Sequence, residues 1–287
     1  MRLCASCYAA LQIYLARNII QTGRTGEADM NPVVVRDVRI GEGIPKICVP
    51  ITGTTREEII EEAGMISSKP ADMAEWRADW YEDIFDVQKV REVLRCLRES
   101  LQEMPILFTF RTKGEGGERD IDAGSYMKIN KAAIASGYID LADVELFSGD
   151  ETVRELIEEA HRLGVKVVLS NHDFEKTPEK DEIVSRLRRM QKLGADLLKI
   201  AVMPGSTRDV LILLEATEEM RCTYADRPLI TMSMSQTGMI SRLCGEVFGS
   251  AVTFGAVGKA SAPGQIRAEK LKDVLELIHG TDMTASI

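Results

Sequence analysis

Short apolar runs alternate with helical patterns from residue 47 to residue 279, and this alternation constrains the fold more than any other feature. The runs predict eight strands, at Ile47–Thr52, Met73–Ala78, Ile106–Phe110, Ile139–Leu146, Val165–Ser170, Leu197–Val202, Leu229–Met234 and Val252–Val257. Eight helices are predicted to follow them, at Thr55–Ser67, Val87–Ser100, Gly124–Ser136, Glu151–Leu163, Lys180–Leu193, Arg208–Cys222, Met239–Phe248 and Pro263–His279. Eight strand–helix units in about 250 residues have the size and rhythm of an α/β protein of the (β/α)8 or TIM barrel class.

The character of the strands supports a closed parallel sheet. They are continuous apolar runs rather than strict alternations, as expected where both faces of a sheet are covered. A doubly wound open sheet is the alternative architecture, and it usually carries a glycine-rich turn after its first strand. Here the turn at residues 53–55 holds one glycine, and no GxGxxG or GxxxxGK pattern occurs in the chain, so the barrel is favoured.

The first 29 residues differ from the remainder of the chain. Tyr8–Ala16 is a short apolar stretch, and residues 21–29 form a polar connector that contains glycine. We expect residues 1–29 to be an N-terminal extension, either an amphipathic helix or a poorly ordered segment, and Met30 is an alternative start that would make it an artefact. Residues 30–287 are predicted to be one catalytic barrel domain that begins with a small β-hairpin at Val33–Gly41.

Composition excludes some classes of partner. The chain has 287 residues, of which 28% are charged and 45% hydrophobic, and no apolar run approaches the ~20 residues that span a bilayer. A net charge of −9 argues against nucleic acid but not against a small anion, because a few converging arginines can reverse the local sign. The dispersed cysteines suit reduced thiols in the cytoplasm, and the Cys4–Cys7 pair lacks the second pair that a zinc site needs.

Polar residues gather at the carboxyl ends of the predicted strands, where barrels of this class carry their functional groups. In chain order they are Glu75, Arg77, Asp79, Arg111, Lys113, Glu115, Asp143, Glu145, Asn171, His172, Asp173, Lys199, Gln236, Arg242, Ser261 and Gln265. Charged groups at strand ends are often no more than solvated ion pairs, so a single member of this set carries little weight.

Lys199 is the most informative member, because it lies inside the apolar run Leu197–Met203. Burying an unpartnered ammonium costs several kcal/mol, so its pKa is expected to fall. A neutral amine is a nucleophile toward carbonyl carbon. The alternative is a lysine at a strand end whose ammonium reaches water.

His172 is the natural general acid and base beside such an amine. It ends the strand next to that of Lys199, within a polar run. His161 lies on a charged helix, and His279 lies in the last turn of the final helix, where a cation suits the dipole. Only His172 therefore has a position that suits catalysis.

The residues at the strand ends match a known family. The chain resembles the type I 3-dehydroquinate dehydratases, lyases of the shikimate pathway, in unbroken order from about Asp37 to His279. The matching segments are Glu75–Asp79, Phe108–Arg111, Glu115–Gly117, Val144–Phe147, Ser170–Phe174, Leu198–Pro204, Ile230–Met234, Ser241–Leu243, Gly245–Ser250 and Ala260–Gln265.

That resemblance implies a barrel whose base is closed by the hairpin, a homodimer, and dehydration of 3-dehydroquinate through a Schiff base without metal or organic cofactor. By motif, Lys199 forms the imine, His172 moves protons and Glu115 is the carboxylate beside it. The implied substrate-binding residues are Glu75, Arg77, Arg111, Arg242, Ser261 and Gln265.

The charges of these side chains and their positions in the chain suggest a separate role for each. Arg242 is the candidate for a bidentate contact with the substrate carboxylate. Arg77 and Arg111 are expected to favour a neutral Lys199, while Glu75 and Glu115 hold their guanidinium groups. The loop that carries Ser261 and Gln265 is expected to close over bound ligand.

Three other functions remain open. A class I aldolase would use the same lysine but would bind a sugar phosphate near the last two strands. A metal-dependent barrel would use Glu75, Asp143, Glu145 and His172, although nearby cations argue against it. A barrel kept only as a binding module would lack the nucleophile or the base, and both are present.

Overall fold

A curled parallel sheet surrounded by helices makes up residues 30–258 and 262–280, the part of the chain that the computed structural model describes. The strands are β1 (Val33–Val35), β2 (Val38–Ile40), β3 (Lys46–Ile51), β4 (Met73–Arg77), β5 (Ile106–Thr109), β6 (Leu141–Glu145), β7 (Lys166–Asp173), β8 (Leu197–Val202), β9 (Leu229–Ser233), β10 (Val252–Ala256) and β11 (Ile266–Arg267). The α-helices are α1 (Arg56–Ile66), α2 (Val87–Leu101), α3 (Ala123–Ile134), α4 (Asp150–Arg162), α5 (Lys180–Leu193), α6 (Thr207–Glu219), α7 (Met239–Leu243), α8 (Gly245–Phe248) and α9 (Ala268–His279). The predicted extension at residues 1–29 lies outside the described residues.

Strands β3 to β9 pair in chain order, each parallel to the next, and β10 pairs with β3. The ring is completed between β9 and β10 by a bridge between Leu229 and Ser250, where the Ala251 amide donates to the Leu229 carbonyl at 2.7 Å. The predicted (β/α)8 barrel is therefore confirmed, and the open doubly wound sheet is wrong.

The N-terminal hairpin closes the base of the barrel. Strands β1 and β2 pair antiparallel, and Val35 and Ile40 are buried on the face that they share. Both side chains belong to one apolar cluster with Met73 and Leu197, which point inward near the amino ends of their strands. Burial of these hairpin residues removes the lower end of the barrel from water, as the resemblance implied.

Inside the barrel, the inward-facing side chains change from apolar to polar between one inward position of each strand and the next. The apolar floor includes Met73, Leu107, Leu141, Val168 and Leu197. Two residues later on each strand, on the same face, stand the buried polar residues Glu75, Thr109, Asp143, Ser170 and Lys199. This polar layer lies directly beneath the mouth of the barrel. The polar side chains meet there because residues two apart on a strand face the same side.

Helix starts and breaks follow local chemistry. Thr55 caps α1 through a capping box with Glu58, and Asp86 caps α2. Helix α4 begins at Asp150 and its N-cap is Gly149. Among the described helices, none has both the length and the apolar character that a bilayer crossing requires.

Two predicted helices needed correction. The segment Met239–Phe248 is two short helices, because Gly245 starts a new turn beneath Ser250, where a Cβ atom would lie 2.9 Å from the Ser250 carbonyl oxygen. The last helix begins at Ala268 rather than Pro263, because Ile266 and Arg267 pair with β10.

Candidate active site

A cavity of about 580 Å³ opens at the carboxyl ends of the strands. It is lined by Glu75, Arg77, Arg111, Glu115, Gly116, His172, Phe174, Lys199, Ala201, Met232, Met234, Arg242, Phe254, Ala262 and Gln265. All the residues predicted to be catalytic or substrate-binding thus share one cavity, within the described part of the chain. Ser261 lies outside the described residues, whereas Gln236, a polar residue near β9, does not line the cavity.

Lys199 points into the barrel from the middle of β8 and is 3% exposed, so the alternative of a lysine that reaches bulk water is wrong. Its Nζ atom lies 3.3 Å from Oδ2 of Asp143 and 3.4 Å from Oε1 of Glu75. It also lies 4.5 Å from the centroid of the Phe254 ring. The amine is buried as predicted, but it has two carboxylate partners that the sequence argument did not include.

Arg111 forms the charged centre of the polar layer. Its guanidinium donates to Asp143 at 2.8 Å, to Glu145 at 2.9 Å and to Ser170 Oγ at 3.0 Å. Burial would raise the pKa of Asp143, but the positive charges of Arg111 and Lys199 lower it below its usual value. Asp143 is therefore an ionised anchor shared by the arginine and the lysine.

Of the predicted pairings of the arginines with Glu75 and Glu115, only that of Arg111 with Glu115 is present, with Nη1 and Oε2 3.6 Å apart. Arg77 makes two 2.9 Å hydrogen bonds with Asp79, which is fully buried. Glu75 instead accepts from the Thr109 hydroxyl at 2.9 Å and faces Lys199. Because bound carboxylates offset the charges of Arg77 and Arg111, these arginines act on Lys199 less directly than expected.

His172 and Glu115 form a buried pair. Nδ1 of His172 lies 3.1 Å from Oε2 of Glu115, and the His172 backbone amide donates to the same oxygen at 2.9 Å. Burial, together with the charges of Arg111 and Lys199, holds the pKa of His172 well below its usual value. Burial also raises the pKa of Glu115 to about 7. The imidazole is neutral at neutral pH, and Nε2 is left as the nitrogen that can exchange a proton with a ligand.

Arg242 differs from the other two arginines of the cavity. It is 2% exposed, and its hydrogen bonds are to the Pro263 carbonyl at 3.2 Å and to Met232 Sδ at 3.6 Å. Within the described residues its Nε atom has no hydrogen-bond partner, and no carboxylate pairs with it. Burial lowers its pKa to about 10. A buried cation in this state is a receptor for an anion.

The segment before β11 covers part of the cavity. Gly264 has a φ of +79°, and a Cβ atom there would lie 2.2 Å from the Ser235 carbonyl oxygen. Glycine therefore permits the close approach that brings Ala262 and Gln265 to the cavity wall. The predicted closure of this loop over ligand stays a prediction.

Sequence reasoning missed the apolar wall of the cavity. Met232 and Met234 lie two residues apart on and just after β9, so they share a face, and Phe254 projects from β10. Phe174 covers Gly116 so closely that a Cβ atom on Gly116 would lie 2.3 Å from its ring. The period of two along β9 was the signal that could have found the methionines.

The metal-binding alternative has little chemical support here. Arg111 occupies Asp143 and Glu145, and Lys199 lies between Asp143 and Glu75. Over residues 30–258 and 262–280, no group of three or more His, Cys, Asp or Glu side chains is placed to hold a metal ion. The carboxylate oxygens that a hard metal cation would need as ligands are already paired with the side chains of Arg111 and Lys199.

Comparison with known proteins gives a consistent result. The family model of type I 3-dehydroquinase matches residues 47–282. Similar relatives include the 3-dehydroquinate dehydratases of Clostridioides difficile, 56% identical over 86% of this chain and 97% of that protein, and of Listeria welshimeri, 57% identical over 87% and 99%.

Solved structures show the same likeness. A type I 3-dehydroquinate dehydratase from Clostridium difficile with covalently modified comenic acid has a TM-score of 0.86 at 55% identity, and the match covers 88% of this chain and 99% of that one. The Geobacillus kaustophilus 3-dehydroquinate dehydratase has a TM-score of 0.84 at 39% identity, covering 89% and 98%.

Proposed function

The chain belongs to the type I 3-dehydroquinase family, and from this premise we propose how its cavity performs the reaction. It is a hydro-lyase of the shikimate pathway that removes water from 3-dehydroquinate through a Schiff base and yields 3-dehydroshikimate. The roles of individual residues are our proposal. The observation that carries it is the Lys199 amine, buried in the cavity 3.3 Å from Asp143.

Lys199 supplies the nucleophile. Lys199 first passes a proton to His172, and its lone pair then attacks the C3 carbonyl carbon of the substrate to give, after a proton shift from nitrogen to oxygen, a carbinolamine. The His172 imidazolium returns the proton to the carbinolamine hydroxyl, which leaves as water, and an iminium ion remains. The iminium withdraws electrons from C2 more strongly than the ketone does, so one difficult elimination becomes a series of easier steps. Asp143 and Glu75 hold the amine at the cavity floor, and this support favours a fixed line of attack.

His172 moves the protons. As a neutral base it takes the proton from C2, and the electron pair of that C–H bond enters the iminium to give an enamine. The imidazolium then returns the proton to the hydroxyl at C1, which leaves as water while the enamine pushes its electrons back. Glu115, hydrogen-bonded to Nδ1, orients the ring and stabilises its protonated form. Hydrolysis of the imine then releases the product.

Arg242 binds the substrate carboxylate, because it is a buried cation without a carboxylate partner among the described residues. Arg77, Glu75 and Gln265 line the cavity and bind substrate hydroxyls. The donors of Arg111 are committed to Asp143, Glu145 and Ser170, so its contribution to substrate binding is electrostatic. Ser261 stays a prediction of the motif.

On the same basis we infer that the protein is a homodimer that works in the cytoplasm, with residues 30–287 as one catalytic domain and residues 1–29 as an extension. Light scattering coupled to size exclusion tests the dimer, which predicts twice the mass of one chain. A monomer at micromolar concentration would contradict it.

A turnover assay tests the proposed function. We expect the purified chain to convert 3-dehydroquinate to a conjugated enone, detected by ultraviolet absorbance, with unchanged rate after treatment with a chelator. Lys199→Met should abolish turnover. Loss of the wild-type rate with chelator would favour the metal alternative, cleavage of a sugar phosphate would favour an aldolase, and substrate binding without turnover would favour a binding module.

A further inference from the structure

A second cavity lies on the outer side of the His172–Glu115 pair. Asn171, Glu115 and His172 line it from the barrel side, and Arg186 of helix α5 lines it from outside. The Arg186 side chain is 17% exposed, and its Nη1 atom donates to Oδ1 of Asn171 at 2.9 Å. Asn171 in turn donates from Nδ2 to Oε1 of Glu115 at 3.1 Å. A continuous hydrogen-bonded chain thus joins helix α5 to the catalytic imidazole.

The direction of this chain follows from donor chemistry. A guanidinium can only donate hydrogen bonds, so it must face the oxygen of the Asn171 amide, and the NH2 group must then face Glu115. An asparagine without that restraint can rotate by half a turn and exchange the two atoms. The exchanged amide would place an oxygen against the Glu115 carboxylate, and the pair would be stable only if Glu115 carried a proton.

We propose that Arg186 is a positioning residue for the dehydration: through Asn171 it keeps Glu115 as the hydrogen-bond acceptor of the His172 Nδ1–H group. This inference rests on the proposed role of His172 as the proton carrier. With Glu115 as acceptor, Nδ1 holds the ring proton and Nε2 has the lone pair that takes the substrate proton. A protonated Glu115 would donate to Nδ1 instead, and Nε2 would then begin the cycle with its proton already in place.

Both Arg186 and Glu115 have other charged neighbours. Arg186 faces Glu182 at 2.8 Å and Asp173 at 3.9 Å, and its guanidinium lies 5.5 Å from the centroid of the Phe147 ring. Glu115 faces His172 and Arg111, the latter at 3.6 Å.

The protonated and ionised forms of Glu115 are close in free energy near neutral pH. Its pKa is about 7 because burial and the charge of Glu145 raise it, while Arg111 and the hydrogen bond from Asn171 lower it. The charges of Arg111, Lys199 and Arg77 also act on His172. Loss of the donor from Asn171 therefore shifts the pair toward the protonated carboxyl near neutral pH.

The experiment compares Arg186→Met with a matched control, Arg189→Met. Both arginines lie on α5 with their guanidinium groups near the Phe147 ring, at 5.5 and 5.7 Å, but Arg189 pairs with Asp150 rather than with Asn171. In Arg186→Met we expect the apparent pKa of the acidic limb of the kcat–pH profile to rise by about one pH unit, which is a tenfold increase in proton affinity. We expect KM to stay within about twofold of the wild-type value. Arg189→Met should keep the wild-type profile, and Arg186→Lys, which retains a donor, should restore most of it.

A double-mutant cycle tests the route through Asn171. If Arg186 acts through that amide, Arg186→Met should have almost no further effect on the profile in an Asn171→Ala background. Full additivity of the two changes, or a wild-type profile in a folded Arg186→Met protein, would overturn the inference. Reductive trapping of substrate on Lys199 is measured in the same variants. Its loss in the wild-type protein would refute the proposed function itself, whereas a trapped adduct with an unmoved profile refutes only the role of Arg186.

Discussion

Nδ1 of His172 lies 3.1 Å from Oε2 of Glu115, in a site where burial disfavours the charged form of both groups. The two side chains therefore titrate as a pair rather than as independent groups. Above about pH 7 this pair offers a neutral imidazole with an orienting carboxylate, which is the state that proton removal from carbon requires.

The pH dependence of turnover follows from this pair. The pKa of Glu115 is raised to about 7, so lowering the pH through that value adds a proton to the pair and removes the acceptor of Nδ1–H. We expect kcat to be constant above about pH 8 and to fall about tenfold per unit well below pH 7. Glu115→Gln should be slow at every pH and lack this limb. A wild-type rate that stays flat down to pH 5 would contradict the assignment.

Arg242 should control substrate affinity. Truncating one partner of a buried charge pair costs about 2–5 kcal/mol, so we expect Arg242→Met to raise KM by about 100-fold with 3-dehydroquinate. Arg242→Lys should recover only part of this, because an ammonium cannot form the bidentate contact. A substrate analogue that lacks the carboxylate should bind wild type and variant equally, and a large difference between them would argue against the contact.

Arg111 and Arg242 should differ in their effect on stability. Arg111 neutralises two buried carboxylates, so Arg111→Met should lower the free energy of unfolding by about 3–5 kcal/mol. Arg242 lacks such partners among the described residues, so Arg242→Met should leave stability unchanged or raise it. Urea unfolding of both variants without ligand measures this, and equal losses would contradict the division into a structural and a ligand-binding arginine.

The loop that carries Glu115 should tolerate a methyl group at one glycine and not at another. A Cβ atom on Gly117 would lie 2.0 Å from the Arg111 carbonyl oxygen, whereas on Gly114 the nearest atom would be 3.8 Å away. We expect Gly117→Ala to cost about 1–3 kcal/mol of stability and to lower kcat, because the displaced loop moves Glu115 away from His172. Gly114→Ala is the matched control and should resemble wild type in thermal unfolding and turnover.

The strand pattern made most of the fold predictable. The strand at Leu197–Val202 and the helix at Lys180–Leu193 have the predicted bounds, because a turn glycine and a change of hydrophobic period mark their ends. The break inside Met239–Phe248 was not predictable in the same way. It depends on the contact of Gly245 with Ser250, and this contact exists only once β10 is in place.

At the site, sequence indicated which residues meet but not how they pair. Lys199 was found because a charged amine is out of place in an apolar run, and His172 because it lies in a polar run at the end of the neighbouring strand. Arg242 was found among the polar residues that follow the seventh predicted strand. The partner of Arg77 and the closest partners of Arg111 were not predicted, because pairing across strands depends on register and rotamer. Arg111, two residues after the end of the third barrel strand, reaches Asp143 on the fourth, and spacing along the chain does not encode that contact.

The most direct test of the central claim is the site of covalent capture. The protein is mixed with 3-dehydroquinate, reduced with sodium borohydride, digested and analysed by mass spectrometry, with Lys199→Ala as the control. We predict one stable adduct, on Lys199, that is absent from the control. Substrate consumption with no adduct, or with an adduct on another lysine, would contradict the Schiff base at Lys199.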